Sequence, residues 1–176
     1  MYENFWVFIT LLGDPTLSSA IVMALIAVYF LLGKRHPMGK DFARYRHLLK
    51  KFLHLIIPAL AITFLGTELM KLAFQVPRPC IPCPAPGCNP YCYITFSFPS
   101  GHTATITGIV TALILLLKKR RYLLLCILPF LVSVSRVVLG VHTVIDVAGG
   151  FIFGIAATLV IWKYRKRLYK WEDEIL

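Results

Sequence analysis

Five long apolar runs, at residues 17–32, 52–74, 103–117, 122–139 and 144–162, constrain this chain more than any other feature. As helices they match a hydrocarbon core of about 30 Å, and lipid leaves backbone N–H and C=O groups no partner outside the helix itself. The prediction is an all-α integral membrane helical bundle of five transmembrane helices, forming one membrane-embedded domain over residues 1–176. The opening "MYENFWVFITLL" is apolar and aromatic, but twelve residues would extend only about 18 Å as a helix, and "GDP" then breaks it. Residues 1–14 therefore read as an N-terminal interfacial helix with Trp6 and Phe8 at headgroup level. The alternative is a short first span, giving six. A cleaved signal peptide fits poorly, since no basic segment precedes the apolar stretch and no small-residue site follows it.

Composition excludes an ordinary soluble domain: 58% of residues are hydrophobic and 15% charged, against about 25% charged in soluble proteins. The net charge of +11 is topological. Residues 34–51, 118–121 and 163–170 carry seven, four and five of the nineteen Lys and Arg. If five spans alternate, all three clusters fall on one face, which the retention of basic residues marks as cytoplasmic. They abut span ends and have no interleaved aromatic platform, so anionic lipid headgroups are their expected partners and nucleic acid is not. Lys71, Arg78 and Arg136 are left over, and they belong to the opposite face.

Three stretches converge on that face: "KLAFQVPRP" from Lys71, "FPSGHTA" from Phe98 and "SRVVLGVHTVID" from Ser135. Ser100 and Gly101 open a helix whose unpaired N–H groups and positive dipole end suit an anion, with His102 in its first turn. Gly140 permits a turn. His142 and Asp146 then stand four apart at the start of the fifth span, one helical turn, so Asp146 can fix the imidazole tautomer and leave the other nitrogen free for attack. Glu68, three residues before Lys71, reads as its charge partner. His36, His47 and His54 lie in or beside the basic cytoplasmic segment with no acid–base partner.

These stretches resemble the type 2 phosphatidic acid phosphatase superfamily of membrane lipid phosphatases, whose motifs K-x6-RP, PSGH and SR-x5-H-x3-D are all present, in order and with intact spacing. The resemblance implies a metal-independent hydrolase without cofactor that works through a covalent phosphohistidine. Its catalytic residues would be His142 as nucleophile, Asp146 orienting it, and His102 as general acid. Lys71, Arg78, Ser100, Gly101 and Arg136 would bind the phosphoryl oxygens. Charge spread over the equatorial oxygens of a phosphoryl transition state calls for such preorganised positive groups.

The expected partners are the bilayer and a membrane lipid phosphate or diphosphate. The small size and sparse loops are most like prokaryotic polyprenyl diphosphate phosphatases. Phosphatidylglycerophosphate and phosphatidic acid phosphatases, and lipid phosphotransferases, share the motifs. A non-catalytic phospholipid-binding protein would need neither histidine. The expected location is the cell membrane, multi-pass, with the active site facing the non-cytoplasmic side.

Residues 75–99 form a Cys- and Pro-rich extracytoplasmic loop. Cys80, Cys83, Cys88 and Cys92 allow two disulfides in three connectivities, or a compact zinc knuckle; either would stiffen the loop over the site. Cys126, in the fourth run, reads as packing.

Overall fold

A computed structural model of the protein describes residues 2–33, 40–80, 92 and 94–173. Among them there is no strand. Six α-helices follow in order: α1 (Tyr2–Leu11), α2 (Pro15–Gly33), α3 (Lys40–Phe74), α4 (Gly101–Leu117), α5 (Ile127–Val138) and α6 (Val144–Asp173), with a 3₁₀ segment over Arg120–Cys126 before α5. Three stretches are long and apolar enough to cross a membrane: Tyr45–Phe74, Arg120–Val138 and Val144–Arg167. Asn4–Leu11 and Pro15–Leu31 make a fourth if the pair, bent by 45°, is one span. The run predicted at 103–117 forms the 17-residue α4, short for an independent crossing. The chain is thus an all-helical membrane protein with three to four candidate spans among the described residues, by length and composition.

Helix ends depart from the apolar runs for a simple reason. Lys, Arg and Ala are good helix formers, so α3 starts at Lys40 and α6 runs on to Asp173, both well beyond the hydrocarbon boundary. The α4 helix can be short because it is central and packs against α3, α5 and α6. On it and around it the buried polar residues include threonines whose hydroxyls bond back to the backbone, as in Thr107 to Thr103 O at 2.7 Å and Thr158 to Gly154 O at 3.0 Å. The outward faces of α3 and α6 instead expose large apolar side chains, among them Phe64, Leu65, Leu72, Ile145 and Ile152, as lipid contact requires.

The first helix is more than an interfacial element. Phe8 points outward, but Ile9 and Thr10 are buried, and Ile9 packs with Ile106, Val110 and Val132 of α4 and α5. The 3₁₀ segment leaves Cys126 exposed, so its expected packing role is not observed. Cys80 and Cys92 form a disulfide, which rules out a zinc site built from all four thiolates. Cys83 and Cys88 lie outside the described residues.

Candidate active site

The C-terminal ends of α3 and α5 and the N-terminal ends of α4 and α6 meet at one end of the bundle. There a cavity of about 250 Å³ is lined by Lys71, Arg78, Gly101, His102, Arg136 and His142. Six of the eight residues singled out by sequence thus share one wall. The other two stand behind it. Ser100 is fully buried; its N–H donates to Asp146 O at 2.9 Å and its hydroxyl accepts from Thr103 at 3.2 Å. Asp146 is also buried, behind His142.

Each cation is delivered by a distinct local device. Lys71 sits on the last turn of α3, and its Nζ pairs with Glu68 Oε1 at 2.6 Å, the contact their spacing suggests. Gln75, with φ of 48°, then turns the chain out of the helix so that Arg78 folds back over the bundle. Arg78 is 4% exposed. Its guanidinium donates to Thr95 O at 2.9 Å, Thr95 Oγ1 at 3.0 Å and Val141 O at 3.2 Å. Arg136, on the last turn of α5, is 2% exposed and donates to Thr10 Oγ1 of α1 at 2.9 Å.

His142 lies just before α6 and not on it, which corrects the expectation of a single helical turn. Gly140, with φ of 67°, makes the turn after α5. Thr143 and Asp146 then form a reciprocal cap: Thr143 N–H donates to Asp146 Oδ2 at 2.7 Å and Asp146 N–H to Thr143 Oγ1 at 3.3 Å. That cap, together with Ser97 Oγ donating to Asp146 Oδ1 at 3.3 Å, fixes the carboxylate. His142 Nδ1 faces Asp146 Oδ2 at 3.5 Å, while Arg78 Nη1 approaches Nε2 at 3.1 Å. A guanidinium can only donate, so Nε2 accepts and the ring proton resides on Nδ1, toward the carboxylate. Burial, reinforced by Arg78 and Arg136 and opposed by Asp146, pushes the His142 imidazole down to about 4. At neutral pH its Nε2 therefore carries a lone pair directed at the cations.

His102, in the first turn of α4, faces a carboxylate that sequence reasoning passed over: Asp14 Oδ2 lies 3.5 Å from its Nε2. Burial raises the Asp14 carboxyl, but hydrogen bonds from Thr16 and Leu17 and the facing His102 outweigh it and hold it below the ordinary carboxylate range. Thr10, Thr95 and Ser97 were also passed over. The available signal was positional, since Thr10 and Asp14 flank the first break in the chain and Thr95 and Ser97 precede PSGH.

Beside the cavity, an apolar groove of about 300 Å³ runs between α2 and α3 along Val22, Met23, Ile26, Ile57 and Leu60; Pro15, Phe64 and Thr105 line both spaces.

Phosphatidylglycerophosphatase B of Bacillus subtilis (strain 168) is 30% identical over 90 residues, a match covering 46% of this chain and 44% of that protein, so less than half of the relative is represented. Two solved structures share the fold. One is the first transmembrane PAP2 type phosphatidylglycerolphosphate phosphatase from Bacillus subtilis, with TM-score 0.63 and 23% identity over 94% of this chain and 77% of that one. The other is Aquifex aeolicus LpxE, with TM-score 0.65 and 24% identity over 93% and 86%. At those identities the likeness is one of architecture. The PAP2 superfamily model, however, matches residues 51–170, from the start of the second apolar run into the last turn of α6 and through all three motifs, and on that match the chain belongs to the PAP2 superfamily.

Proposed function

We propose that this protein is a multi-pass membrane lipid phosphatase that hydrolyses a phosphate monoester or diphosphate of a membrane lipid through a phosphohistidine. One observation carries the reading: the cavity that gathers Lys71, Arg78, Arg136 and both histidines opens beside an apolar groove that can hold a hydrocarbon tail. In the first half-reaction the Nε2 lone pair of His142 attacks phosphorus, a phosphoryl oxygen takes over the Arg78 donor, and the P–O bond to the lipid breaks. Protonated His102 gives its proton to the departing oxygen. In the second, neutral His102 takes a proton from water as it attacks phosphorus, and the N–P bond breaks to release phosphate. Lys71, Arg78, Arg136 and the Gly101 N–H hold the equatorial oxygens, with the Ser100 hydroxyl behind them. Asp146 orients His142 throughout.

The proposed topology has five crossings, by α2, α3, α4, the 3₁₀ segment with α5, and α6, all within one domain. The site then faces the non-cytoplasmic side, because Lys118–Arg121 and Lys163–Arg167 lie at the far ends of the helices that build it.

Of two apolar grooves, the one of about 300 Å³ between α2 and α3 shares Pro15, Phe64 and Thr105 with the cavity, and the one of about 500 Å³ between α5 and α6 shares no lining residue with it; one groove joined to the cavity favours a lipid with one tail, a polyprenyl diphosphate. Phosphatidylglycerophosphate is the second reading, favoured by the name of the Bacillus subtilis relative. The test is to offer purified protein polyprenyl diphosphate, phosphatidylglycerophosphate and phosphatidic acid in detergent with a chelator present. We expect phosphate release, fastest from the diphosphate; no release from any of the three would sink the hydrolase reading.

Arg78 gives a second, residue-level test. Its donors span Thr95, Val141 and His142 as a planar fork, which an ammonium on a flexible stem cannot reproduce. Arg78→Lys should lower kcat/KM by about two orders of magnitude with charge conserved. A loss under threefold would show that charge alone suffices there.

A further inference from the structure

The "GDP" break after α1 holds a carboxylate that none of the three family motifs includes. Two features of the turn place it. Asp14 Oδ1 caps α2, accepting from Thr16 N–H at 2.8 Å, Leu17 N–H at 2.9 Å and the Thr16 hydroxyl. That leaves Oδ2 directed at His102 Nε2, 3.5 Å away. Gly13 allows the approach, because a Cβ there would lie 2.7 Å from His102 O and 2.8 Å from Val132 Cγ1. Any other residue would push the turn, and Asp14 with it, off the start of α4.

The charge around His102 makes this contact consequential. From the other elements it faces Arg136 of α5, Arg78 of the loop after α3, and His142; Lys71 Nζ lies close by, 3.9 Å from the Cβ position of Gly101. Every one of these groups is cationic or can become so. Among the charged residues lining the cavity, Asp14 and Glu68 are the acids, and Glu68 is paired to Lys71. A group that must carry a proton to the leaving oxygen, set among cations, needs a nearby negative charge to hold that proton.

We propose that Asp14 is a positioning residue for His102: its carboxylate fixes the imidazole and sustains the protonated form that protonates the departing lipid oxygen. Asp14 stays ionised and takes no proton itself; the proton passes from His102 to the leaving group. This rests on the reading of His102 as general acid.

The experiment is a double-mutant cycle on purified full-length protein in detergent, using Asp14→Asn, His102→Ala and the pair. Each is measured in the first half-reaction alone, as single-turnover release of the leaving group, because the second uses His102 as base whatever the substrate; p-nitrophenyl phosphate has a leaving group that needs no acid, and an alkyl phosphate one that does. Asn keeps the helix cap while removing the charge. Asp14→Asn should cut release of the alkyl leaving group about tenfold at pH 7.5, leave release of p-nitrophenolate within about twofold, and move the alkaline limb of the alkyl rate down by about one pH unit. On the His102→Ala background it should cost nothing further, because the residue it acts through is gone.

Equal losses on both substrates, an unmoved alkaline limb, or a full loss retained in the double mutant would overturn the proposal. If His102→Ala itself spares release of the alkyl leaving group, the general-acid reading fails instead. Asp14→Ser, which also caps, guards against a folding defect: with a melting temperature equal to wild type it should repeat the Asn result, and wild-type release with Ser would reject the role.

Discussion

His142→Ala should abolish turnover, lowering kcat on the order of 10⁴-fold or more, while the protein still binds phosphate-like anions. The expectation follows from the division of labour in the cavity. Lys71, Arg78, Arg136 and the start of α4 supply positive charge independently of His142, so truncating it removes the lone pair and leaves the cradle. The Arg78 guanidinium keeps its bonds to Thr95 and Val141 and loses only the 3.1 Å contact to Nε2. Vanadate, as a pentacoordinate mimic, should therefore bind the variant with an affinity within about tenfold of wild type. Alkaline quench of wild type with ³²P-labelled substrate should trap an acid-labile, base-stable phosphoryl adduct that the variant lacks. An adduct of the same stability in His142→Ala would move the nucleophile elsewhere, most directly to His102.

The pH behaviour of His142, the proposed nucleophile, has a definite sign. Burial and the arginines depress the His142 imidazole to about 4, so the base form is complete at neutral pH and is lost only as pH falls toward that value. The acidic limb of kcat/KM attributable to this group in the free enzyme should thus lie well below the ordinary imidazole range near 6.5. An acidic limb at 6.5 that disappears in no other variant would contradict the buried, cation-flanked environment.

What could be read from sequence divides along physical lines. The residues gathered at the cavity were legible because short spacings carry them: Lys71 to Arg78, Ser100 to His102, and Arg136 to His142 and Asp146 each fall within a short stretch of chain. The Glu68–Lys71 pair was legible for the same reason. Apolar runs located α2, α3 and α6, since lipid exposes the hydrophobic signal instead of hiding it. Contacts between distant parts of the chain were not legible. Thr10 reaches Arg136 across 126 residues and Asp14 reaches His102 across 88, and no local pattern encodes either. Helix ends were misjudged where the reason for stopping was a cap. His142 was placed on α6 because four residues fit one turn, whereas the Thr143–Asp146 capping pair starts the helix at Val144. The interfacial reading of α1 followed from its length and missed that Ile9 and Thr10 of its last turn are buried.

The second large effect is expected from a single methyl group. Gly150 and Gly154 form one small-residue stripe on α6, and they let it approach α4 at backbone distance. A Cβ at Gly150 would lie 2.5 Å from Ser100 O, and one at Gly154 would lie 2.4 Å from Ala104 O. Both obstacles are backbone atoms of α4, so no rotamer change relieves them and the helices must separate. Their separation is what registers the two halves of the site: Ser100 N–H bonds Asp146 O at 2.9 Å, tying the His102 end of α4 to the carboxylate behind His142. Gly150→Ala should consequently cost on the order of 1–3 kcal/mol of stability through overpacking. Because the proposed general acid and nucleophile must act on one phosphorus, it should also cost upwards of tenfold in kcat even in the fraction that remains folded. Gly66→Ala is the matched control. There the nearest atoms to the added Cβ all belong to the ring of Phe153, a side chain that can swing aside, and activity should stay within about twofold of wild type. Thermal unfolding in detergent with kcat measured below the transition separates the two effects. If Gly150→Ala is as active and as stable as Gly66→Ala, then α4 and α6 do not hold the two histidines in register, and the site must be aligned from the α3 and α5 side through Arg78 and Arg136.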